Sequence, residues 1–514
     1  MSDSPAGLVT RSATMVSLAL APLCAAACGS TTKAGPASDG GHAGTSASAG
    51  SGASGGTSGT AASSGGTGRG ATAGNAGTRA NGGGGSGGAA TAGAGGAGAP
   101  SASGGVAGAA AGGGVPAAGG GGTSGASDAG AAGSGGSAGE GATRWVYGYW
   151  AVWQTEQYPL EKIAWKDLTH AALSFVEPRA PAATSKASPY ATLDSSNASD
   201  NLGENGMANF ASAAHAGGTH PLISLGGAGA GAGFAAAASA ANRAAFIADI
   251  VAACAAWGYD GVDLDWEDSI VYGDFAALVH DLRAAAPPGF LVTAPVGAVN
   301  VNAGIDADAS AMWSKSFDAV DQLNVMTYTG SGAYPGWAVW YLDPLSGEGA
   351  DHPFDVASSL GDWSALGIPK SKLGVGIGFY GRAVSAPVTA VLQQYGDATT
   401  YEDDTKLSYG NIVRYFENQG GAVATWDDTA KTTALSWPSE FHPAWTDQFP
   451  GDAGPPTQFL TYEDVKTVQA KAAWVKDNGY GGTIIWTINE GVAFPYGDDG
   501  YQNPLLDATS AAFR

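Results

Sequence analysis

Three acidic side chains at alternate positions form the segment with the clearest chemical potential. Asp263, Asp265 and Glu267 alternate with three apolar residues, Val262, Leu264 and Trp266. Because strand side chains alternate between faces, an extended segment places the three carboxyls on one face, about 6.6 Å apart. Carboxyls this close cannot all ionise freely. We expect them to share a proton and the pKa of Glu267 to be raised, as a general acid requires near neutral pH.

Two other interpretations of this acidic segment are weaker. A strand with carboxylates facing solvent fits poorly, because a strand of a parallel barrel has no solvent-exposed face. A cation site with oxygen ligands is chemically possible, but the sequence has neither an HExxH pattern nor paired histidines at ligand spacing. We therefore expect a catalytic acid cluster, and neither a metal ion nor a cofactor.

The acidic segment is one of eight short apolar runs that alternate with helical stretches. This alternation predicts a parallel α/β fold, and eight strand–helix units predict a (β/α)8 TIM barrel, whose active site lies at the C-terminal ends of the strands. Between the third and fourth runs, Phe246, Ile250, Cys254 and Trp257 recur at helical spacing, so a buried Cys254 thiol is expected. The predicted strands are 146–149, 171–176, 221–225, 261–266, 291–294, 322–327, 373–378 and 482–487.

Composition divides the 514 residues into two parts. No aromatic residue precedes Trp145, and residues 31–140 contain 41 glycines with Ala, Ser and Thr as most of the rest. Such a segment has nothing bulky to bury, so we expect a disordered Gly/Ala/Ser/Thr-rich linker over 29–143 and a folded domain over 144–514. Residues 384–460 are too long for one loop and predict a small α+β insertion between strands seven and eight. The net charge of −23 argues against nucleic acid as a partner.

The first 28 residues resemble an export signal. Arg11 precedes an apolar run over 16–27, which is too short to span a bilayer, and Cys28 follows at once. The sequence before Cys28 resembles a bacterial lipobox, although Ala25 stands where leucine is usual. We expect a monomeric exported protein. It is either a cell-envelope lipoprotein, attached to the membrane only through a lipid on Cys28, or a protein secreted after ordinary signal cleavage behind a small residue.

Five ordered motifs resemble those of glycoside hydrolase family 18, the chitinases and their relatives. Asp260-x-x-Asp263-x-Asp265-x-Glu267 is similar to the DxxDxDxE signature of the family, and Ser224-Leu225-Gly226-Gly227 is similar to its SxGG motif. Met326-Thr327-Tyr328, Phe379-Tyr380-Gly381-Arg382 and the segment from Gly481 to Trp486 resemble the family's sixth, seventh and eighth strands. The segments at Trp426 and at Phe459 to Asp464 resemble the insertion of the deep-cleft subfamily. The resemblance covers residues 144–514.

The resemblance implies an enzyme that cleaves β-1,4 bonds in chitin or chito-oligosaccharides. In this family the substrate's own acetamido oxygen replaces a protein nucleophile and the configuration is retained. Glu267 would be the acid and base, Asp265 would orient the acetamido group, Asp263 would modulate the Asp265 proton, and Tyr328 would bind the acetamido group. The open alternatives are an endo-β-N-acetylglucosaminidase, a peptidoglycan-active enzyme, and a non-catalytic chitin-binding, lectin-like surface protein.

Further residues receive roles through the same resemblance. Trp486 would form the floor of the cleft, and weaker candidates for substrate contact are Tyr149, Phe175, Met326, Tyr334, Tyr380 and Arg382. A structural role within the motifs is expected for Asp260, Gly261, Ser224, Gly226 and Gly227. Thr329 replaces the aspartate that usually follows the motif tyrosine, and Ala228 replaces a tryptophan found in many deep-cleft chitinases. These departures put the rate, the pH profile and processive action in question, and leave the reaction class unchanged.

Overall fold

The computed structural model describes residues 144–183, 188–401, 406–445, 456–493 and 500–514. The predicted signal segment, the predicted linker and Cys28 lie outside these ranges. Within them the strands are β1 (Trp145–Ala151), β2 (His170–Pro178), β3 (Leu193–Asp194), β4 (His220–Gly226), β5 (Gly261–Asp265), β6 (Leu291–Gly297), β7 (Gln322–Met326), β8 (Leu373–Gly378), β9 (Gly381–Ser385), β10 (Thr400–Tyr401), β11 (Val423–Asp427), β12 (Thr432–Ser436), β13 (Thr457–Tyr462) and β14 (Gly482–Trp486).

Most helices of the described ranges lie between successive barrel strands, as the alternation of apolar runs predicts. They are α1 (Ser196–Leu202), α2 (Gly206–Ala216), α3 (Gly231–Ala238), α4 (Arg243–Trp257), α5 (Tyr272–Ala285), α6 (Ala307–Ser316), α7 (Val356–Ala365), α8 (Tyr409–Tyr415), α9 (Val465–Asp477) and α10 (Pro504–Phe513). Helix α4 ends at Gly258, whose φ of 82° is left-handed, a conformation that glycine adopts without steric cost. Cys254 on α4 is free and buried.

Eight parallel strands close into a barrel, which confirms the predicted fold. The order is β1, β14, β8, β7, β6, β5, β4 and β2, and β2 pairs with β1 to complete the ring. All eight predicted strands match these strands to within a few residues at each end. The register aligns Ser224 of β4 and Thr293 of β6 with Asp263 of β5, so three polar side chains lie at one level of the barrel.

The apolar faces of the strands pack against the surrounding helices. Val262, Leu264 and Trp266 are almost fully buried in the main hydrophobic core. The Trp266 ring stacks on Phe234 of α3 with centroids 5.0 Å apart and planes 6° from parallel. Because these residues face the helices, the side chains of alternate positions on β5 face the barrel axis.

A second sheet lies in the chain between β8 and β14. Its five strands are antiparallel in the order β10, β9, β13, β12 and β11. It extends from Gly381 to Tyr462, close to the range predicted for the insertion, and α8 lies within the same segment. Beside it, Lys471 of α9 forms buried ion pairs of 2.7 Å with Asp343 and Glu463. These pairs connect α9 with the end of β13 and with the long segment that follows β7.

The described helices have at most 15 residues, the length of α4. None of them alone is long and apolar enough to cross a bilayer. The pair α3 and α4 passes the same test only when joined, and the two helices meet at a bend of 108°.

Candidate active site

Asp263 is the innermost carboxyl of β5 and is held by three hydroxyl donors. Tyr149 Oη and Ser224 Oγ donate to its Oδ2 atom at 3.0 Å, and Thr293 Oγ1 donates to Oδ1 at 2.5 Å. Its side chain is fully buried. Burial raises the pKa of Asp263 to about 6, although the three hydrogen bonds act in the opposite direction by favouring the carboxylate. Asp263 is therefore fixed in place and inaccessible to a ligand.

Asp265 and Glu267 continue the column toward the rim of the barrel. Asp265 is 4% exposed, and its Oδ1 atom is buried without a hydrogen-bond partner. The pKa of Asp265 is raised well above its usual range. Burial has the largest effect, and the neighbouring Glu267 and Asp263 carboxyls add to it. Burial, Asp268 and Asp263 raise the pKa of Glu267 to about 8. At neutral pH the column therefore retains protons that exposed carboxyls would lose.

The segment after β4 shapes the backbone around these acids. Gly226 and Gly227 have φ values of 112° and 85°, which favour glycine. A Cβ atom on Gly226 would lie 2.3 Å from the Asp265 carbonyl oxygen, and one on Gly227 would lie 2.7 Å from the Phe175 ring. The Gly227 N–H donates to the Asp265 carbonyl at 3.0 Å, and the Ala228 N–H donates to the Glu267 carboxyl. The two glycines thus allow the β4 segment to contact both acids.

Aromatic residues from distant parts of the sequence meet beside the acid column. Trp486 at the end of β14 stacks on Phe175 of β2, with centroids 5.6 Å apart and planes 17° from parallel, and lies 5.7 Å from Tyr149 of β1. One buried cluster contains six of the predicted cleft residues, namely Tyr149, Phe175, Met326, Tyr328, Tyr380 and Trp486. The cluster gives the barrel mouth a largely apolar floor.

Trp153 extends this floor and was not predicted from the sequence. It lies in a 3-10 turn (Val152–Gln154) directly after β1 and is 40% exposed. Its ring stacks on Phe175 at 6.0 Å and lies 6.2 Å from Trp486. The signal that could have identified it is an aromatic residue immediately after a barrel strand, where the loops that form active sites begin.

Tyr328 lies on the side of the site that follows β7. It is 5% exposed, and its backbone carbonyl accepts a hydrogen bond of 3.1 Å from Tyr380 Oη. Two of the predicted residues, Tyr334 and Arg382, are absent from the aromatic cluster. Both instead lie close enough to Tyr395 to influence its pKa, and Tyr334 Oη donates to the Thr329 carbonyl at 3.2 Å. The structure therefore groups them beside the long segment after β7.

Asp260 lies at the opposite end of β5 from Glu267. Its carboxylate accepts hydrogen bonds from His215 Nε2 at 3.0 Å and from His220 Nδ1 at 2.5 Å. Asp260 therefore connects α2, β4 and β5 at the N-terminal end of the barrel, with Gly261 following it as the first residue of β5.

A cavity of about 150 Å³ opens beside Glu267. Met326 and Val296 contribute to its walls, together with Ile305 and Trp363 from the surrounding segments. Among the residues that the structure describes, no group of three or more His, Cys, Asp or Glu side chains is arranged to hold a metal ion. Carboxyl groups with raised pKa values beside an aromatic surface can carry out proton transfer.

Comparisons with known proteins agree with this geometry. The model of the Glycosyl hydrolases family 18 matches residues 145–491. A "Probable endochitinase" of Caenorhabditis elegans is 29% identical over 294 residues, 52% of this chain and 43% of that protein. "Chitinase A1" of Niallia circulans is 27% identical over 278 residues, 49% of this chain and 37% of that protein.

The chain thus spans about two fifths of the length of these two relatives. The fold is also that of solved structures. The Ostrinia furnacalis Group IV chitinase in complex with allosamidin is similar with a TM-score of 0.55 and 20% identity, over 72% of this chain and 98% of that one. The family model covers well over half of the sequence. The chain therefore belongs to family 18 of the glycosyl hydrolases.

Proposed function

We propose that this protein is a chitinase that hydrolyses β-1,4-linked N-acetylglucosamine polymers or oligomers with retention of configuration. The observation that carries the proposal is the column of three carboxyls at the barrel mouth, with Glu267 outermost and its pKa raised to about 8. The names of the matched relatives support chitin as the substrate. The rest of the site fits a sugar, because aromatic rings provide an apolar surface for a sugar face.

Glu267 is the general acid. Below about pH 8 its carboxyl is protonated, so it donates the proton to the glycosidic oxygen as the bond between that oxygen and the anomeric carbon breaks. The Ala228 N–H stabilises the carboxylate that remains after the transfer. The leaving sugar departs with the proton.

The nucleophile belongs to the substrate. Asp263 is fully buried beneath Tyr149, Ser224 and Thr293, so it cannot reach an anomeric carbon. The acetamido oxygen of the sugar attacks that carbon and forms a cyclic oxazolinium ion, the substrate-assisted route attributed to this family. Asp265 accepts the acetamido N–H and stabilises the positive charge, and Asp263 modulates the Asp265 proton. Tyr328 contacts the acetamido group from the β7 side.

A water molecule completes the reaction. It attacks the anomeric carbon from the face that the leaving sugar has vacated, and the Glu267 carboxylate removes its proton. The acetamido group is regenerated and the configuration of the product equals that of the substrate. Trp486, Phe175 and Tyr149 hold the reacting sugar, and Trp153 offers a ring to a neighbouring sugar.

Two substrates and one stereochemical measurement test this proposal. The wild-type protein is expected to cleave an N-acetylglucosamine hexamer and to leave the fully deacetylated hexamer intact, since only the former has the acetamido nucleophile. Proton NMR during the reaction should show the β-anomer as the first product. Inversion of configuration, or equal turnover of the deacetylated hexamer, would refute the mechanism. Cleavage of only a high-mannose glycoprotein or of purified cell wall would refute the choice of substrate.

We also propose the domain organisation and the route of export. Residues 1–28 are an export signal, 29–143 are a linker and 144–514 are the catalytic domain with an insertion over 384–460, in a protein that acts as a monomer. The basis is the apolar run before Cys28 and the change of composition at Trp145. Mass spectrometry of the mature protein is expected to find a lipid on Cys28 and none in a Cys28→Ala variant. An unmodified N-terminus at another residue would refute lipidation.

A further inference from the structure

The turn that carries Trp153 is fastened by side chains from the segment that follows Trp486. This turn (Val152–Gln154) joins β1 to the rest of the chain and has no side-chain cap of its own. Trp153 is the exposed part of the aromatic floor. Its position therefore depends on how the turn is held.

Asn489 binds the backbone at both ends of this turn. Its Oδ1 atom accepts from the Ala151 N–H at 2.9 Å, and its Nδ2 atom donates to the carbonyls of Ala151 at 3.2 Å and Gln154 at 3.1 Å. The residue is 1% exposed, so water cannot replace these bonds. One amide group thus satisfies three backbone groups of the turn.

Gln154 makes the reciprocal connection. Its Nε2 atom donates to Glu490 Oε1 at 2.8 Å, and its Oε1 atom accepts from Thr487 Oγ1 at 3.0 Å. Gln154, Thr487 and Glu490 are all buried. Thr487 directly follows Trp486, so the hydrogen bonds couple the position of the turn to the end of the strand that carries the floor tryptophan.

We propose that Asn489 and Gln154 are positioning residues that hold Trp153 beside the floor and thereby set the preference of the enzyme for longer chains. This inference rests on the proposed function, because it assigns Trp153 to a sugar beyond the reacting one. An exposed aromatic ring on a short turn would otherwise lose conformational freedom on binding, and a ring fixed in advance avoids that loss. In the held position, the Trp153 ring lies against Phe175 and Trp486.

The matched variants are Thr487→Val, which removes one hydroxyl donor at constant shape, and Thr487→Ser, which keeps the donor. The substrates are an N-acetylglucosamine hexamer and an aryl chitobioside, whose two sugars are expected to occupy the part of the floor around Trp486 without reaching Trp153. For Thr487→Val and Asn489→Ala, we expect kcat/KM on the hexamer to fall about tenfold through KM, or about 1.4 kcal/mol. On the chitobioside we expect less than about a twofold change. Thr487→Ser should behave as wild type.

A double-mutant cycle separates positioning of Trp153 from general damage. Trp153→Ala should show the same loss on the hexamer, and adding Thr487→Val to Trp153→Ala should reduce hexamer turnover no further. If the losses of Trp153→Ala and Thr487→Val multiply in the double variant, the inference is overturned. Equal losses of kcat/KM on the hexamer and the chitobioside would also overturn it. Both results leave the chitinase proposal intact. A wild-type protein that cleaves neither substrate would refute the chitinase proposal and this inference with it. If circular dichroism shows that Asn489→Ala does not fold, the Thr487 pair decides.

Discussion

Replacement of Glu267 by glutamine is expected to stabilise the protein at alkaline pH. Burial, with the Asp268 and Asp263 charges, raises the pKa of this carboxyl from its ordinary 4.5 to about 8. At about 1.4 kcal/mol per unit of pKa, the folded protein disfavours the ionised form of Glu267 by about 5 kcal/mol relative to the protonated form. Because a buried glutamine amide also loses hydration, we expect about half of this, roughly 2–3 kcal/mol, to be recovered in the variant.

The sign of the effect follows from proton binding. The folded state of the wild type has the higher pKa, so it binds more protons than the unfolded chain at pH values between the two. The favourable contribution of the protonated form is complete below about pH 4.5 and is lost as the pH rises toward 8. Glu267→Gln cannot ionise and escapes this loss. The stability difference between the variant and the wild type should therefore grow from pH 5 to pH 8 and then level off.

Urea unfolding at pH 5, 7 and 9 measures this difference. Glu161→Gln is the control, since Glu161 is an exposed glutamate in a short 3-10 turn. Its free energy of unfolding, relative to the wild type, should remain constant over the same pH values. A Glu267→Gln difference that is independent of pH, or a wild type that is the more stable protein at pH 9, would contradict the raised pKa of Glu267.

Three further predictions concern the site and the core. Asp268→Asn removes a charge that raises the pKa of Glu267, so the alkaline limb of the kcat/KM profile should move to lower pH. Asp268→Glu keeps the charge and should leave the limb near its wild-type position. An alkaline limb that does not move in Asp268→Asn would contradict the effect of this charge. Trp486→Ala should raise KM for the hexamer about tenfold or more, because the stacking surface is lost, whereas Trp257→Ala on α4 should leave KM unchanged. Burial raises the pKa of the Cys254 thiol, so a thiol reagent should label it only after denaturation; rapid labelling of Cys254 in the native protein, located by peptide mapping, would disprove its burial.

The sequence predicted the barrel because each strand carries its own pattern. The alternation of acids with Val262, Leu264 and Trp266 identifies both the strand and the face that packs against the helices. All eight strands could be located from such local signals. The helix from Arg243 to Trp257 and its glycine stop were likewise visible as a periodic apolar face followed by Gly258.

The parts of the site that were not predicted depend on contacts between distant segments. Thr293 donates to Asp263 only because the β5 and β6 register places them side by side, and no motif marks that threonine. Trp153 lies in a turn whose shape is set by Asn489, which is more than three hundred residues away in the chain. Register and long-range hydrogen bonds arise from the folded barrel, so a local pattern does not contain them.

The most direct test of the central claim is turnover of an N-acetylglucosamine hexamer by Glu267→Gln, with hexamer binding measured by calorimetry on the same sample. A general acid contributes a factor of about 10²–10⁴ to the rate. We predict that kcat falls at least a hundredfold while the dissociation constant stays within about threefold of the wild-type value measured under non-hydrolysing conditions. Turnover within tenfold of the wild type would show that the proton comes from another group and would contradict the account.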